Sequence, residues 1–438
     1  MISSGKNKTI LFMVTSQEYY RNYITSSALD EIKDRCVFVV DGNLMNRDFP
    51  TIDRKKLIPY TYPEHKNIFH KHLFNINMWK FRNLSTSFVF RFTRRLKERQ
   101  KFIYRILSLP IIYHFIKFIF LLRSSDSVLE KIINKINPSL ILIPSSGYEG
   151  LSFEVIKIAK DKKISTCLLI DNWDNLSSKT IFTRKPDCLV VWGQQAIEDA
   201  VRIHKMDPNK VFALGTPRFI EYEKESKSNL SSPYPFNYIL FAGNALPFDE
   251  LSALKKLDEI IDSKKLDLKV VYRPHPMRHK RKCLDNFVES DFRHIVLDIQ
   301  ARDYYGVGEK KNSDKSGELP DLKYYPRLLS NMEFMICPLS SMIIESLLFN
   351  KPVFVLAYDD RVHSTNPKEL LRYYEHFRGI ENLNNVEMVS EFNDLEKIFN
   401  GDPGLNNRKK MGNLNYYISE KTKDYPRNLK LLVEDILK

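Results

Sequence analysis

Cys337-Pro-Leu-Ser-Ser-Met-Ile-Ile-Glu345 and Leu268-Lys-Val-Val-Tyr-Arg-Pro-His-Pro276 are two segments that each begin as an apolar strand and end in a polar turn. Strands followed by turns and helices in this way are typical of an α/β fold. The turn at Ser340 and Ser341 opens directly onto an apolar helix, whose first N–H groups have no partner within the helix. The two segments therefore predict a parallel sheet with a polar crevice at its carboxyl edge.

The residue types around these turns favour a nucleotide as the ligand. The hydroxyls of Ser340 and Ser341, together with the first N–H groups of the helix, predict a phosphate site. Arg273 and His275, at the neighbouring strand end, would place positive charge against the same phosphate. Glu345 lies one turn into the helix on a similar face, where it would accept hydrogen bonds from a ribose diol. This set of groups predicts a nucleoside mono- or diphosphate donor.

Each motif also has a purely structural interpretation. Pro274 and Pro276 fix φ and prevent further strand pairing, so that Arg-Pro-His-Pro would be only a stiff strand exit. Ser340 and Ser341 would be only an N-cap for the helix. The occurrence of both motifs in this order, each at a strand end, favours the ligand site.

Short apolar runs alternate with helix-like stretches along the whole chain. In the first half, strands are predicted at Thr9–Ser16, Cys36–Asp41, Leu140–Ile143, Thr166–Asp171, Cys188–Trp192 and Val211–Leu214. In the second half, they are predicted at Tyr238–Ala242, Leu268–Tyr272, His294–Leu297, Glu333–Ile336 and Pro352–Ala357. Helices are predicted at Glu149–Asp161, Gln194–His204, Asp249–Lys264, Ser341–Asn350, Pro367–Phe377 and Tyr425–Lys438.

This alternation divides the chain into two α/β halves. We predict an N-terminal domain at 1–220 with a basic insertion of two or three long helices at 66–136, a polar linker at 221–236, and a C-terminal domain at 237–438 that ends in an amphipathic helix. The polar stretch Gly306 to Pro320 is predicted to be a loop. The predicted fold is two Rossmann-like domains facing a central cleft, a common place for a ligand site.

Composition excludes several classes of protein. Glycine is scarce, with 14 of 438 residues, and neither G-x-x-x-x-G-K-[ST] nor G-x-G-x-x-G occurs, which argues against P-loop and simple dinucleotide-binding proteins. The five cysteines, Cys36, Cys167, Cys188, Cys283 and Cys337, lack C-x-x-C spacing and are predicted to be buried thiols, not a disulfide framework or zinc site. The N-terminus lacks the apolar core of a signal peptide, so we expect a cytoplasmic protein.

Positive charge is concentrated between Lys80 and Arg123. This segment holds eleven Lys or Arg residues and one acid, Glu98, and therefore carries +10 of the chain's net +14. Within it, 103–122 is long enough to span a bilayer, but Arg105 and Pro110 make a spanning helix costly. We expect an amphipathic helical pair on an anionic membrane surface at the inner face of the membrane. The basic residues assigned to this contact or to the acceptor are Arg91, Arg94, Arg95, Arg99, Lys101 and Arg105.

The same segment has two other interpretations. In one of them, the segment forms a solvated basic face over a buried helix. Binding of nucleic acid is disfavoured, because no nucleic-acid-binding motif accompanies the charge.

The chain resembles glycosyltransferases of the GT-B type, and more narrowly the bacterial enzymes of surface-polysaccharide synthesis. These include the capsule sialyl and Kdo transferases with a His-Pro motif and the CDP-glycerol glycerophosphotransferases. The resemblance covers most of Ser165 to Ala357 in the order of elements. His275-Pro276 matches the His-Pro dipeptide, and Ser340-Ser341 followed by Asn350-Lys351-Pro352 matches the Ser-Ser helix before an Asn-Lys-Pro turn.

The resemblance implies roles for these residues. His275, Pro276, Ser340 and Ser341 would bind donor phosphate, and Glu345 would hold the ribose. The loop containing Gly243 and Asn244 is similar to the interdomain loop that faces the donor. Gly215-Thr-Pro-Arg218 is similar to the Gly-x-Pro-Arg that ends the N-terminal domain of the glycerophosphotransferases.

One departure from the family pattern concerns the general base. The glycerophosphotransferases carry a His after a strand of the N-terminal domain, whereas this chain has Asp171-Asn-Trp-Asp-Asn-Leu-Ser-Ser-Lys179. Asp171 or Asp174 would be the base of a sugar transferase, and we favour Asp171 because it ends the strand. The alternative is a hydrogen-bonded Asx turn.

The predicted function is therefore glycosyl transfer. A nucleotide-activated sugar of CMP, CDP or UDP type would be the donor, and a lipid-linked or growing surface glycan of a lipopolysaccharide, O-antigen or capsule would be the acceptor. We expect inversion and no metal or other cofactor, because no Asp-x-Asp motif stands in a suitable place. The alternatives are a CDP-glycerol-type polyol-phosphate transferase, a GT-B-like nucleotide-sugar epimerase and a non-catalytic subunit of an assembly complex.

Overall fold

The computed structural model describes residues 8–225, 230–276, 292–305, 322–400 and 411–438. The chain forms two compact units, of which the first comprises Met1–Ile220 and Asn415–Lys438 and the second Glu221–Leu414. Each unit contains a parallel sheet covered by helices. The predicted α/β class with two Rossmann-like domains is confirmed.

The first unit contains a seven-stranded sheet in the order β3-β2-β1-β4-β5-β6-β7. Its strands are β1 (Ile10–Val14), β2 (Cys36–Val40), β3 (Leu57–Pro59), β4 (Leu140–Ser145), β5 (Ser165–Ile170), β6 (Cys188–Val191) and β7 (Val211–Ala213). All neighbours are parallel. Both faces are buried, which explains why the strands are continuous apolar runs. The short edge strand β3 was not predicted.

Helices cover both faces of this sheet. They are α1 (Gln17–Tyr19), α2 (Glu64–Lys80), α3 (Thr86–Arg95), α4 (Glu98–Leu107), α5 (Pro110–Leu122), α6 (Ser127–Ile136), α7 (Gly150–Asp161), α8 (Asn175–Ser178) and α9 (Gln194–Arg202). Leu11 and Met13 of β1 pack in the same core as α6, α7 and α9. Ile10 and Phe12 point to the opposite core, as the two-residue period of a strand requires.

The C-terminal helix corrects one predicted domain boundary. The sequence predicts Tyr425–Lys438 as the end of the C-terminal domain, but the helix lies in the first unit. Tyr425, Leu429 and Val433 are buried in the core formed by Ile10 and Phe12. The apolar stripe of the helix was visible in the sequence, whereas the sheet that covers it was not.

The basic insertion consists of the five helices α2–α6 instead of two or three long ones. Part of its aromatic content forms a core, in which Phe88 and Phe92 pack with Met78 and Trp79. Among the described residues, no single helix is both long and apolar enough to cross a membrane. One bent pair, Glu98–Leu107 with Pro110–Leu122 at 80°, meets that requirement only when its two helices are taken together.

The second unit contains a six-stranded sheet in the order β10-β9-β8-β11-β12-β13. Its strands are β8 (Tyr238–Ala242), β9 (Lys269–Arg273), β10 (Ile295–Leu297), β11 (Met335–Cys337), β12 (Val353–Leu356) and β13 (Val386–Val389). All neighbours are again parallel. The edge strand β13 was not predicted, because Val386-Glu-Met-Val389 is short and carries a charge.

The α-helices described for this part of the chain are α10 (Ile220–Glu225), α11 (Glu250–Lys264), α12 (Ile299–Tyr305), α13 (Tyr324–Asn331), α14 (Met342–Leu347) and α15 (Pro367–Tyr373), and the C-terminal helix is α16 (Tyr425–Ile436). A 3-10 helix spans Phe392–Phe399. The start of the predicted linker at 221–236 is thus helical, and its Tyr222 is buried. The loop predicted at Gly306 to Pro320 lies outside the described residues.

Four cysteines, Cys36, Cys167, Cys188 and Cys337, are buried free thiols as predicted. The fifth, Cys283, lies outside the described residues.

Candidate functional site

The sheet of the second unit reverses its strand order between β8 and β11. After β8 the chain adds β9 and β10 on one side, and it then returns to place β11 on the other. Loops that follow the two strands diverge at such a switch point and leave a crevice outside the carboxyl ends, where α/β proteins bind ligands. Gly243 and Asn244 directly follow β8, and Ser340 and Ser341 closely follow β11. The structure therefore brings both predicted loops to the switch point.

His275 and Pro276 follow β9, the neighbour of β8. The Gly243 N–H donates to the Arg273 carbonyl at 2.8 Å and joins the two strand ends. A Cβ on Gly243 would lie 3.1 Å from the backbone nitrogen of His275 and 2.8 Å from Oε2 of Glu250. The close approach of the two loops therefore favours glycine at this position. His275 is half-buried and Pro276 is exposed at the same edge of the sheet.

Glu250 supports the loop after β8, a role that the sequence did not indicate. Its buried carboxylate accepts the Asn244 N–H at 2.8 Å and the Tyr272 hydroxyl at 2.7 Å. Oδ1 of Asn244 in turn accepts the Leu246 N–H at 3.2 Å. These bonds fix the course of the loop.

The two serines after β11 differ in what their side chains do. Oγ of Ser340 accepts the Met342 N–H at 3.3 Å, so the capping interpretation applies to Ser340. Ser341 has helical backbone angles and its side chain makes no capping hydrogen bond to the helix. Both residues are half-buried. The Ser341 hydroxyl is therefore the one that capping does not occupy.

Arg273 has a structural role, which corrects its assignment as a phosphate ligand. Its guanidinium is buried and lies 2.5 Å from the carboxylate of Asp298, which has no exposed surface. The same guanidinium donates to Gln300 at 2.6 Å and to the Tyr325 hydroxyl at 3.0 Å. A buried cation needs this degree of pairing to offset its lost hydration.

Tyrosine hydroxyls complete the environment of Asp298. The hydroxyls of Tyr324 and Tyr234 donate to its Oδ2 at 2.5 and 3.2 Å. Its Oδ1 also accepts the Ala301 N–H at 2.8 Å, next to Arg273. Burial, reinforced by the Asp298 charge, raises the pKa of both tyrosines well above the usual range. They act as neutral donors to a buried ion pair.

Glu345 also differs from its predicted role. Its side chain has no exposed surface, and its Oε2 accepts the Tyr222 hydroxyl at 2.7 Å. In this conformation the carboxylate is not presented to a ribose. The bond instead ties α14 to α10, the helix at the start of the predicted linker.

The first sheet has a switch point of its own, between β1 and β4. Glu149, in the turn after β4, lies there and accepts four hydrogen bonds. The hydroxyl of Tyr19, which follows β1, donates to its Oε1 at 2.7 Å, and the Ser146 N–H donates to the same oxygen at 2.8 Å. Oε2 accepts the Ser145 hydroxyl at 2.5 Å and the Tyr148 N–H at 3.2 Å. The sequence showed Glu149 only as the start of a helix.

Asp171 follows β5, which pairs with β4. Its backbone is fixed, because its N–H donates to the Ser145 carbonyl at 3.1 Å and its carbonyl accepts the Trp192 indole N–H at 3.0 Å. Its carboxylate accepts no hydrogen bond from the part of the chain that the structure describes. Burial raises the pKa of this carboxyl to about 6, and the Arg218 charge only partly opposes the effect. A carboxylate with this pKa is a suitable general base near neutral pH.

Asp174 is in a different environment three residues later. Its Oδ2 lies 2.7 Å from the Lys179 ammonium and accepts the Ser178 hydroxyl at 3.1 Å. Burial alone would lower the pKa of Lys179, but the Asp174 charge outweighs it and raises that pKa. Asp174 is thus a partner in an ion pair that closes the turn.

The described residues of the predicted basic patch differ in their contacts. Arg91 donates to the Ser178 carbonyl at 3.1 Å and attaches α3 to α8, so it has a structural role. Lys101 pairs with Glu98 at 2.6 Å, whereas Arg99 and Arg105 are exposed on α4. The side chains of Arg94 and Arg95 lie outside what the structure describes.

Among the residues that the structure describes, no cluster of three or more His, Cys, Asp or Glu side chains is arranged to hold a metal ion.

No protein-family model matches this sequence, and no curated protein sequence matches it. Solved structures that are similar to this chain do exist. Staphylococcus aureus MnaA in complex with UDP has a TM-score of 0.54 and 12% identity, over 98% of this chain and 97% of that one. The UDP-GlcNAc 2-epimerase of Methanocaldococcus jannaschii has a TM-score of 0.53 and 13% identity, over 97% and 99%. The wall teichoic acid polymerase TagF has a TM-score of 0.49 and 12% identity, over 98% and 90%.

Similarity at this level of identity concerns the fold. It extends over nearly the whole of both chains for MnaA and for the M. jannaschii epimerase. The fold of this protein is therefore GT-B, with two Rossmann-like domains. Since one fold supports many reactions, the reaction has to be inferred from the residues of the site.

Proposed function

We propose that this protein is a glycosyltransferase that moves a sugar from a nucleotide-activated donor to a growing surface glycan. The observation that carries the proposal is the switch point between β8 and β11. Four residues singled out from the sequence, Gly243, Asn244, Ser340 and Ser341, converge there. Ligands of α/β proteins bind at this place in the sheet.

The second unit would bind the donor. The Ser341 hydroxyl, which makes no capping hydrogen bond, suits an oxygen of a phosphate. His275, at the end of β9, would add a hydrogen-bond donor to the same phosphate. The complex of S. aureus MnaA with UDP supports a nucleotide as the ligand of this fold. The donor screen described below distinguishes UDP, CDP and CMP as the nucleotide of the donor.

The first unit would supply the general base, and Asp171 fits this role better than Asp174. The raised pKa of Asp171, about 6, makes its carboxylate a better proton acceptor than an ordinary one. The Asp174 carboxylate is held by Lys179 at 2.7 Å, and this ion pair would oppose its protonation.

The proposed step is a displacement at the anomeric carbon. Asp171 takes the proton of the acceptor hydroxyl, and the acceptor oxygen forms a bond to C1 of the sugar. The bond from C1 to the phosphate oxygen breaks, and its electron pair leaves with the nucleotide. The Ser341 hydroxyl and His275 beside the phosphate stabilise the charge that develops there. The sugar product has the inverted configuration.

Two other reactions use a donor of similar chemistry. An epimerase would change the sugar of its nucleotide donor without an acceptor, and the fold similarity to the M. jannaschii 2-epimerase favours this candidate. A polyol-phosphate transferase would use CDP-glycerol. The absence of a His from the turn at 171–179 disfavours that reaction by comparison with the glycerophosphotransferases.

A donor screen followed by mass spectrometry separates the three candidates. The purified chain is incubated with UDP-, GDP-, CDP- and CMP-sugars or with CDP-glycerol, each with and without a lipid-linked glycan acceptor. The proposal predicts an acceptor heavier by one sugar residue and a free nucleotide, with Asp171→Asn inactive. Epimerised donor in the absence of acceptor would identify an epimerase instead. Turnover of CDP-glycerol alone would identify a polyol-phosphate transferase instead.

A further inference from the structure

An unusual share of the exposed apolar surface lies on α4, α5 and the turn between them. Nine of the sixteen large apolar side chains that are exposed within the described residues belong to this short segment. We call these nine the α4–α5 apolar face. Its members are Phe102, Ile103, Ile106, Leu109, Ile111, Phe115, Phe118, Ile119 and Leu122. A contiguous apolar patch on an otherwise polar surface marks an interaction site.

α5 is packed on its other side, and the half-buried Tyr104 of α4 lies against Trp79. Tyr113 and Phe120 of α5 are buried, and the Tyr113 hydroxyl donates to Asn77 of α2 at 2.8 Å. Phe120 packs edge-on against the ring of His70, with ring centres 5.0 Å apart. The α4–α5 apolar face is therefore the outer side of a docked pair of helices.

Positive charge lies beside this apolar face, on and next to α4. Lys97, Arg99 and Arg105 are exposed on or next to α4, and no ion pair engages them within the described residues. The single acid of the segment, Glu98, is paired with Lys101. Apolar side chains bordered by free cations match a lipid surface with anionic head groups.

We propose that the α4–α5 apolar face docks onto an anionic bilayer and inserts its side chains at the level of the lipid head groups. The inference rests on this surface alone and does not depend on the proposed glycosyl transfer. It does specify where an enzyme acting on a lipid-linked acceptor would meet its substrate.

The geometry favours insertion into the surface over a membrane span. α5 has 13 residues, or about 20 Å of helix, against a hydrocarbon thickness of about 30 Å. α4 and α5 meet at 80°, so the pair does not form one straight segment. Arg105 and Lys117 would also have to enter the hydrocarbon.

A second copy of the chain is a poorer occupant of this face. In a two-fold contact, each protomer would present the same free cations, Lys97, Arg99 and Arg105, to the other. Like charges at an interface are costly, whereas an anionic leaflet neutralises them.

The test is sedimentation of the full-length protein with vesicles, without any nucleotide. Vesicles of phosphatidylcholine alone are compared with vesicles that also contain the anionic lipid phosphatidylglycerol. The variant Phe115→Ser/Phe118→Ser removes two exposed rings, and Leu431→Ser, an exposed apolar residue of α16, is the matched control. We expect the anionic vesicles to bind the wild type and Leu431→Ser, and the double variant to bind at least about tenfold more weakly.

Four outcomes would overturn the proposal. They are no binding of the wild type to anionic vesicles, equal binding of the double variant, a dimer in light scattering that the double variant abolishes, and retention of the wild type in the vesicles after alkaline extraction. Extraction at alkaline pH should release the bound wild type, and retention in the vesicles would indicate a span instead. Because no donor is present, failure of glycosyl transfer does not affect this result.

Discussion

Lys179 neutralises one of the two carboxylates that follow β5, because its ammonium lies 2.7 Å from Oδ2 of Asp174. Asp171, three residues earlier, is left without a hydrogen-bonded cation in the described part of the chain, and burial raises its pKa to about 6. The two acids were equivalent candidates by residue type. Their surroundings separate them into a carboxylate with a raised pKa, which we propose as the base, and a partner in an ion pair.

The first prediction concerns catalysis. Asp171→Asn should lower kcat by about 10²- to 10⁴-fold, the usual contribution of a general base. Asp174→Asn should retain activity within about tenfold, since it removes an ion pair and not the base. In the wild type, log(kcat/KM) should rise with pH up to about 6 and then level off, as Asp171 loses its proton. If the rise of log(kcat/KM) with pH is lost in Asp174→Asn but kept in Asp171→Asn, Asp174 is the general base and Asp171 is not.

The second prediction concerns stability and pH. The folded pKa of Asp171 lies above its unfolded value of 3.8, so the folded state binds the proton more tightly and the ionised form is destabilising. Asp171→Asn should therefore increase the free energy of unfolding at pH 7.5, by about 1–2 kcal/mol after allowance for solvent screening. This increase in the free energy of unfolding should shrink between pH 6 and pH 4, where Asp171 of the folded wild type becomes protonated.

Thermal melting of wild type and Asp171→Asn across this pH range measures the effect. Asp187→Asn is the comparison, since the Asp187 carboxylate accepts the Thr166 N–H and hydroxyl at 2.8 and 2.7 Å. Its substitution should destabilise the protein at pH 7.5. If Asp171→Asn destabilises the protein to a similar extent, its carboxylate is a structural group.

The third prediction concerns Arg273. Arg273→Met leaves the Asp298 carboxylate buried without its cation, which should cost about 3–5 kcal/mol. Urea unfolding should show this loss. A variant that keeps wild-type stability but no longer binds nucleotide would return Arg273 to the ligand site.

The sequence could show where the strands and their turns lie, because each buried parallel strand is an apolar run bounded by turn residues. Predicted and observed strands agree within about two residues at most ends, as at Tyr238–Ala242. The order of strands in the sheet explains why the turns after β8 and β11 meet. That order follows from connections that a single sequence does not reveal.

The sequence could not show which polar groups are satisfied by distant ones. Arg273 and Asp298 are 25 residues apart, and the Tyr222 and Glu345 side chains come from positions 123 residues apart. From its position beside the His-Pro motif, Arg273 is therefore predicted to bind phosphate. Its burial against Asp298 gives it a structural role instead. The same limit applies to the aromatic residues of the basic insertion, of which Phe88 belongs to a core and Phe115 to the surface.

The fourth prediction concerns the bond between Tyr222 and Glu345. Tyr222→Phe leaves a buried carboxylate with one donor fewer and should cost about 1–3 kcal/mol. The double variant Tyr222→Phe/Glu345→Gln should cost less than the sum of the two single variants, because both remove one interaction. Additive costs would show that the two groups are independent. Normal stability of Glu345→Gln with weaker donor binding would restore the ribose assignment.

The fifth prediction tests the switch point itself. Ser341→Asp should fold normally, since an acid at the start of a helix is favourable, but its charge should repel a donor phosphate. Ser127→Asp, at the exposed start of α6 in the other unit, is the matched control for the added charge.

The measurement that decides the central claim is the melting temperature of the wild type with UDP, GDP, CDP or CMP. A nucleotide at 100 times its Kd should add about 2.7 kcal/mol to the free energy of unfolding. We predict that at least one of the four raises the melting temperature of the wild type and of Ser127→Asp, and that Ser341→Asp loses the shift. The absence of a shift with all four nucleotides, or an undiminished shift in Ser341→Asp, would contradict a donor site between β8 and β11.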